Sequence, residues 1–83
     1  MTKVEGIVKY EDGRLATEAT VEVHNSTGDI VDQLRTADGG AFTYYLCPGP
    51  WNFFTYDGEG HRGNARVTLA EGDAAVRVDV EIK

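Results

Sequence analysis

The chain reads as an all-β protein, a seven-stranded, antiparallel-rich β-sandwich. Three observations say so. Apolar and polar residues alternate with a period of two along most of the 83 residues, which is the mark of half-buried strands. Clusters of Gly, Asp, Asn and Ser break that alternation every eight to twelve residues or so, the spacing expected of a sandwich. No segment carries a 3.6-residue apolar period, and the stretch from Arg14 to Ala19 has room for a single helical turn at most.

Taken in order, Val4, Gly6, Val8 and Tyr10 alternate with Lys3, Glu5 and Lys9, with Ile7 on the polar side. Glu11-Asp12-Gly13 turns the chain. Ala19, Val21 and Val23 alternate with Thr20, Glu22 and His24, and Asn25-Ser26-Thr27-Gly28 forms a loop of hairpin type. Ile30 to Arg35 is the third strand, and Ala37-Asp38-Gly39-Gly40 leads into the aromatic centre of the chain. There, Phe42, Tyr44 and Leu46 precede Pro48-Gly49, and Trp51 and Phe53 follow it. This reads as two strands folded back on a Pro-Gly turn with those five side chains on one apolar face. Residues 57–64 form a glycine-rich loop. Ala65, Val67 and Leu69 make the next strand, Glu71-Gly72-Asp73 the last turn, and Val76, Val78, Val80 and Ile82 the final strand. The whole of 1–83 is expected to be a single domain. Both terminal strands should keep one solvated face, with Lys3, Lys9 and Lys83 discouraging edge-to-edge pairing.

Composition narrows the function classes. A net charge of −6 with the eight basic residues scattered argues against nucleic acid, which demands clustered Lys and Arg. No run approaches eighteen apolar residues and no apolar leader segment follows Met1. The expectation is a cytoplasmic protein without a membrane role.

Few residues offer chemistry. Cys47, His24 and His61 are the soft ligands or nucleophiles, without the paired spacing a zinc site requires, so no metal and no cofactor is expected. His24 falls on the polar phase of its strand, as a solvated histidine would. Cys47, beside Pro48, reads as a buried or half-buried turn thiol. Glu59, His61 and Arg62 share the glycine-rich loop, where a Glu-His pair could do acid-base work beside a nucleophile. The plainer reading is a polar loop. Asp57-x-Glu59-x-His61 has the look of a calcium loop but lacks the downstream glutamate.

The hairpin reading leaves Tyr45, Phe54 and Tyr56 together on the outer face, where contiguous apolar surface marks an interaction site. The alternative is that the 57–64 loop, or the segment after Arg14, folds over them.

The pattern Val4-x-Gly6-x-Val8, Gly13, Ala19-x-Val21-x-Val23, Thr36, Gly40-x-Phe42-x-Tyr44-x-Leu46 and Pro48-Gly49-x-Trp51 resembles that of carboxypeptidase regulatory-like domains, which are transthyretin-like (prealbumin-like) sandwiches. Within that superfamily, the stretch from Phe42 to Trp51 looks closest to a short actinobacterial family of unknown function, often encoded beside a thiosulfate sulfurtransferase. The resemblance implies a stabilising or docking role and no catalytic residue. In that setting Gly6 lets a neighbouring side chain, with Trp51 as candidate, lie on the first strand. The Tyr-Arg-Gly-Ser run of the 5-hydroxyisourate hydrolases of similar architecture is absent. The expected function is a non-catalytic accessory subunit, docking a protein partner or a second copy through Tyr45, Phe54 and Tyr56. A carbohydrate-binding sandwich, with a glycan on Tyr45, Tyr56 and Trp51, is the second reading. A small hydrolase or redox protein using Cys47 and His61 is the outlier.

Overall fold

In a computed structural model that describes residues 1–83, seven strands form two facing sheets. The strands are β1 Thr2–Tyr10, β2 Thr20–His24, β3 Ile30–Arg35, β4 Ala41–Leu46, β5 Gly49–Tyr56, β6 Arg62–Leu69 and β7 Ala75–Ile82. The order is β4-β1-β7 in one sheet and β3-β2-β5-β6 in the other. Every pairing is antiparallel except that of β1 with β7. The expected all-β sandwich is therefore the observed one. One turn of 3-10 helix at Asp38–Gly40 is the sole helical element; the segment after Arg14 forms no helix, bridging from Leu15 to Lys9 and then turning at Thr17 and Glu18, where Glu18 has φ 60°.

The period-two alternation sorts side chains as expected. Val4, Val8, Val21, Val23, Phe53, Val80 and Ile82 are fully buried, and Phe42, Leu46 and Leu69 nearly so. Trp51 and Tyr44 are partly buried against this core.

The neighbours of the aromatic strands differ from the hairpin reading. β4 pairs with β1, and β5 pairs with β2 and β6. Cys47-Pro48 therefore carries the chain from one sheet to the other. Phe42 and Phe53 still meet, at a ring-centroid distance of 5.4 Å, but across the core. The side chain lying on Gly6 is that of Phe42, its register partner on β4, and not Trp51. A Cβ on Gly6 would occupy the space of the Phe42 ring. β1 is central in its sheet, so Lys3 and Lys9 guard no edge. Arg62, Gly63 and Asn64, assigned above to the loop, begin β6.

Two clasps close the sandwich. At one edge the Tyr44 hydroxyl on β4 donates to Asp32 Oδ2 on β3 at 2.6 Å. That bond lowers the Asp32 pKa and raises that of the phenol. At the other edge the backbones of Arg62 and Lys83 exchange two hydrogen bonds, joining the start of β6 to the end of β7. A Cβ on Gly63 would meet the Glu81 carbonyl oxygen there. Buried Thr36 pins the turn between Ala16 and Ala19. Its hydroxyl donates to the Ala16 carbonyl at 2.7 Å and accepts the Ala19 N–H at 2.9 Å.

Gly6→Ala should lower stability by about 3 kcal/mol, because a rigid buried ring has to move. Thr36→Val should cost roughly 2 to 3 kcal/mol by leaving a buried N–H and carbonyl unpaired. Urea unfolding monitored by Trp51 fluorescence measures both, and losses under about 0.5 kcal/mol, the range of a surface change, would contradict these assignments.

Candidate functional site

The candidate site is the outer face of the β3-β2-β5-β6 sheet. Alternation on β2 sends Val21 and Val23 inward and Thr20, Glu22 and His24 outward. Register then builds three rows across the face. Arg35, Thr20, Tyr56 and Arg62 form the first; Gln33, Glu22, Phe54 and Asn64 the second; Ile30, His24, Asn52 and Arg66 the third.

The middle of this face is a hydrogen-bonded unit. Glu22 accepts on both oxygens, from His24 Nε2 at 3.0 Å and from the Tyr56 hydroxyl at 2.9 Å. A carboxylate can only accept when ionised, so Nε2 is the protonated nitrogen of His24. These bonds, that from His24 foremost, lower the Glu22 pKa, and the bond to Glu22 raises that of Tyr56. Gln33 Nε2 adds a long bond of 3.3 Å to the Tyr56 hydroxyl. The Phe54 ring leans on the His24 ring at 4.3 Å and 39°. His24 is thus a half-buried support for Phe54 and not a freely solvated histidine; its side chain is 15% exposed.

Phe54 remains 38% exposed and forms a ridge between two hollows. One, of about 620 Å³, reaches Trp51 and Pro50 and has Arg66 in its wall. The other, of about 430 Å³, lies between Phe54 and the glycine-rich loop and has Arg62 in its wall. Neither that loop nor the segment after Arg14 covers the ring.

Of the three aromatics expected on one patch, Phe54 and Tyr56 do share a face. Tyr45 does not: it lies on β4, opposite Lys3, on the outer side of the other sheet, and is 54% exposed. The separation follows from Cys47-Pro48 crossing between sheets.

The loop candidates also separate. His61 pairs with Asp57, its Nδ1 lying 2.6 Å from Oδ2, and not with Glu59. Glu59 is exposed and contributes its backbone N–H to Asp57 Oδ1. Arg62 points outward from β6. Asp57 also accepts the Tyr10 hydroxyl at 2.8 Å. The Tyr10 ring meets His61 edge-on at 5.2 Å and carries the Arg14 guanidinium 4.6 Å above its face. Burial pushes the Asp57 carboxyl up, but the hydrogen bonds from the Glu59 amide, Tyr10 and His61 outweigh it and bring its pKa to about 2. Sequence reasoning passed over Asp57 as a functional anchor. The signal was available in Asp57-x-Glu59-x-His61, where an Asp side chain can accept amides two and four residues on.

Cys47 is exposed, not buried. It sits just before β5, and His61 lies beyond its far end, so roughly 23 Å of strand separates them at about 3.3 Å per residue. They cannot act on one substrate atom. No group of three or more His, Cys, Asp or Glu is placed to hold a metal ion, and no helix is long and apolar enough to cross a membrane.

This architecture defines an all-β sandwich protein. It is similar to the crystal structure of a DUF3823 family protein from Parabacteroides merdae ATCC 43184, with a TM-score of 0.75 and 19% identity over 99% of this chain. The match covers 45% of that chain, so the present chain spans about half its length. At that identity the likeness shows the fold alone. The chain belongs to the DUF1416 family, described as protein of unknown function, whose model matches residues 1–82. No curated protein matches it.

Asp57→Asn tests the loop anchor. Because the folded pKa is depressed from 3.8 to about 2, its contribution is complete above the upper value and disappears as pH falls through the lower one. Wild type should therefore exceed the variant in stability at neutral pH, with the gap closing between pH 4 and 2. Urea midpoints across that range measure it, and a pH-independent gap would contradict the anchor.

Proposed function

We propose that this chain is a non-catalytic protein-interaction module, an accessory subunit that docks its partner on the outer face of the β3-β2-β5-β6 sheet. The observation that carries this reading is the exposed Phe54 ridge, propped at a tilt on His24 and flanked by two hollows. A large aromatic on a sheet face that is otherwise polar but for Ile30 and the Tyr56 ring, backed by a satisfied hydrogen-bond network, has the rigidity of a binding hot spot. The distance of Cys47 from His61 speaks against the nucleophile–base pair of the outlier reading, and the carboxylate bonded to His61 is that of Asp57, not Glu59. The carboxypeptidase regulatory-like resemblance supports the same role. The proposal includes a self-contained domain in the cytoplasm, where an exposed single cysteine suits a reducing compartment.

A glycan is the second reading, and Tyr56 with the amides of Asn52 and Asn64 favours it. It is the weaker one. The Tyr56 hydroxyl is engaged by Glu22, the two amides bond each other at 3.1 Å, and Phe54 is canted on His24. A sugar ring prefers an open, flat aromatic platform.

Phe54→Asp tests the proposal. The variant should stay folded, losing about 1 to 2 kcal/mol at a partly exposed site, and should fail to capture a stoichiometric partner that wild type retains from native lysate. A partner retained equally by both proteins would move the docking site elsewhere.

A further inference from the structure

The two outer faces of the sandwich are charged differently. On the β4-β1-β7 face the strand residues Lys3, Lys9 and Arg77 are matched by Glu5, Asp79 and Glu81. Lys3 lies 3.2 Å from Glu5, and register sets Arg77 beside Glu5 and Lys9 beside Glu81. On the β3-β2-β5-β6 face, Arg35, Arg62 and Arg66 face a single strand carboxylate, Glu22. Glu22 is already occupied on both oxygens by His24 and Tyr56. None of the three guanidinium groups forms an ion pair; the pairs in the molecule are Lys3–Glu5, Arg14–Asp12, His24–Glu22 and His61–Asp57. In a chain of net charge −6, three exposed arginines against one strand carboxylate on one face are a local reversal of sign.

Resting on the docking reading above, we infer that the partner presents an extended acidic segment to this face, two carboxylates flanking a small apolar residue, read by Arg62 and Arg66 across the Phe54 ridge. Geometry sets the pattern. Arg62 and Arg66 are four residues apart on β6, both outward, hence about 13 Å apart. An extended peptide carries same-face side chains at alternate residues, so carboxylates four positions apart match that span, with the residue midway between them over Phe54 and Asn64. Arg35 ends the same row as Arg62, three strand spacings or about 14 Å away, and takes a third carboxylate of the partner. Guanidinium groups suit carboxylates because they bind them in bidentate fashion. A face-to-face pair of copies is disfavoured, because it would bring two faces of like charge together.

The test is an NMR titration of the isotopically labelled full chain at low salt with three probes: the peptide Glu-Thr-Val-Thr-Glu, capped at both ends, its counterpart Lys-Thr-Val-Thr-Lys, and an oligogalacturonate. The acidic peptide should shift the amides of Phe54, Arg62, Asn64 and Arg66, and the basic peptide should not. In the double variant Arg62→Glu, Arg66→Glu, both exposed positions, the acidic peptide should bind at least about tenfold more weakly and the basic peptide should gain. Equal shifts from both peptides on these amides would overturn the acidic partner while leaving the docking face in place. Shifts there from oligogalacturonate alone would overturn both in favour of an anionic glycan. No shift on this face from any probe would overturn both outright.

Discussion

The missing side chain at Gly6 is the constraint on which the rest of the sandwich depends. β1 is the central strand of its sheet, and at Gly6 it offers bare backbone to the core. Phe42 lies flat in that space and reaches Phe53 on the facing sheet. A β-branched residue at that position would hold the ring off the strand and the two sheets apart. With the ring seated, β1, β4 and β5 share one packed layer, and the fully buried valines of β1, β2 and β7 fill the space on either side. In a chain of this size the core is small, so a few such close approaches decide whether the two sheets hold together at all.

That packing frees the outer faces from structural duty, and the two have diverged. The face around β1 is a neutral lattice of alternating charges. The face around β5 joins an exposed aromatic, a saturated glutamate and unpaired arginines. Its rigidity comes from below: Phe53 and Thr55 are buried under Phe54, and β2 and β6 pair with β5 on both sides. A loop clasp at Asp57, Tyr10 and His61 holds the glycine-rich segment to the end of β1 and away from Phe54. The same clasp explains why His61, the most reactive-looking residue of the loop, is spoken for structurally.

Much of this was legible in the residues themselves. Alternation correctly sends Val21, Val23, Phe42, Leu46 and Phe53 inward, and Phe54 and Tyr56 outward. It does so because a strand's two faces are set by the pleat, whatever its neighbours. What alternation lacks is information about neighbours. Pro48-Gly49 is compatible with a hairpin and equally with a crossing between sheets, and the local sequence does not distinguish them. The misplacement of Tyr45 follows from that single ambiguity. The partner of Gly6 was misjudged for the same reason, since Trp51 and Phe42 are both flat aromatics within reach of a first strand. The extra length of β6 was hidden because Gly63 reads as a loop residue, whereas here it is a contact residue against the Glu81 carbonyl.

The sequence by itself determined the class of fold, the strand count and the inward or outward direction of nearly every strand residue, because these depend on periodicity and turn chemistry within a few residues. Only the tertiary structure decided that Phe54 stands with Tyr56 and not with Tyr45. The same holds for the engagement of Asp57 by Tyr10, and for Arg35, Arg62 and Arg66 lying on one surface without an ion-pair partner. Those are products of strand order and register. They rest on contacts between residues tens of positions apart, which no local pattern encodes.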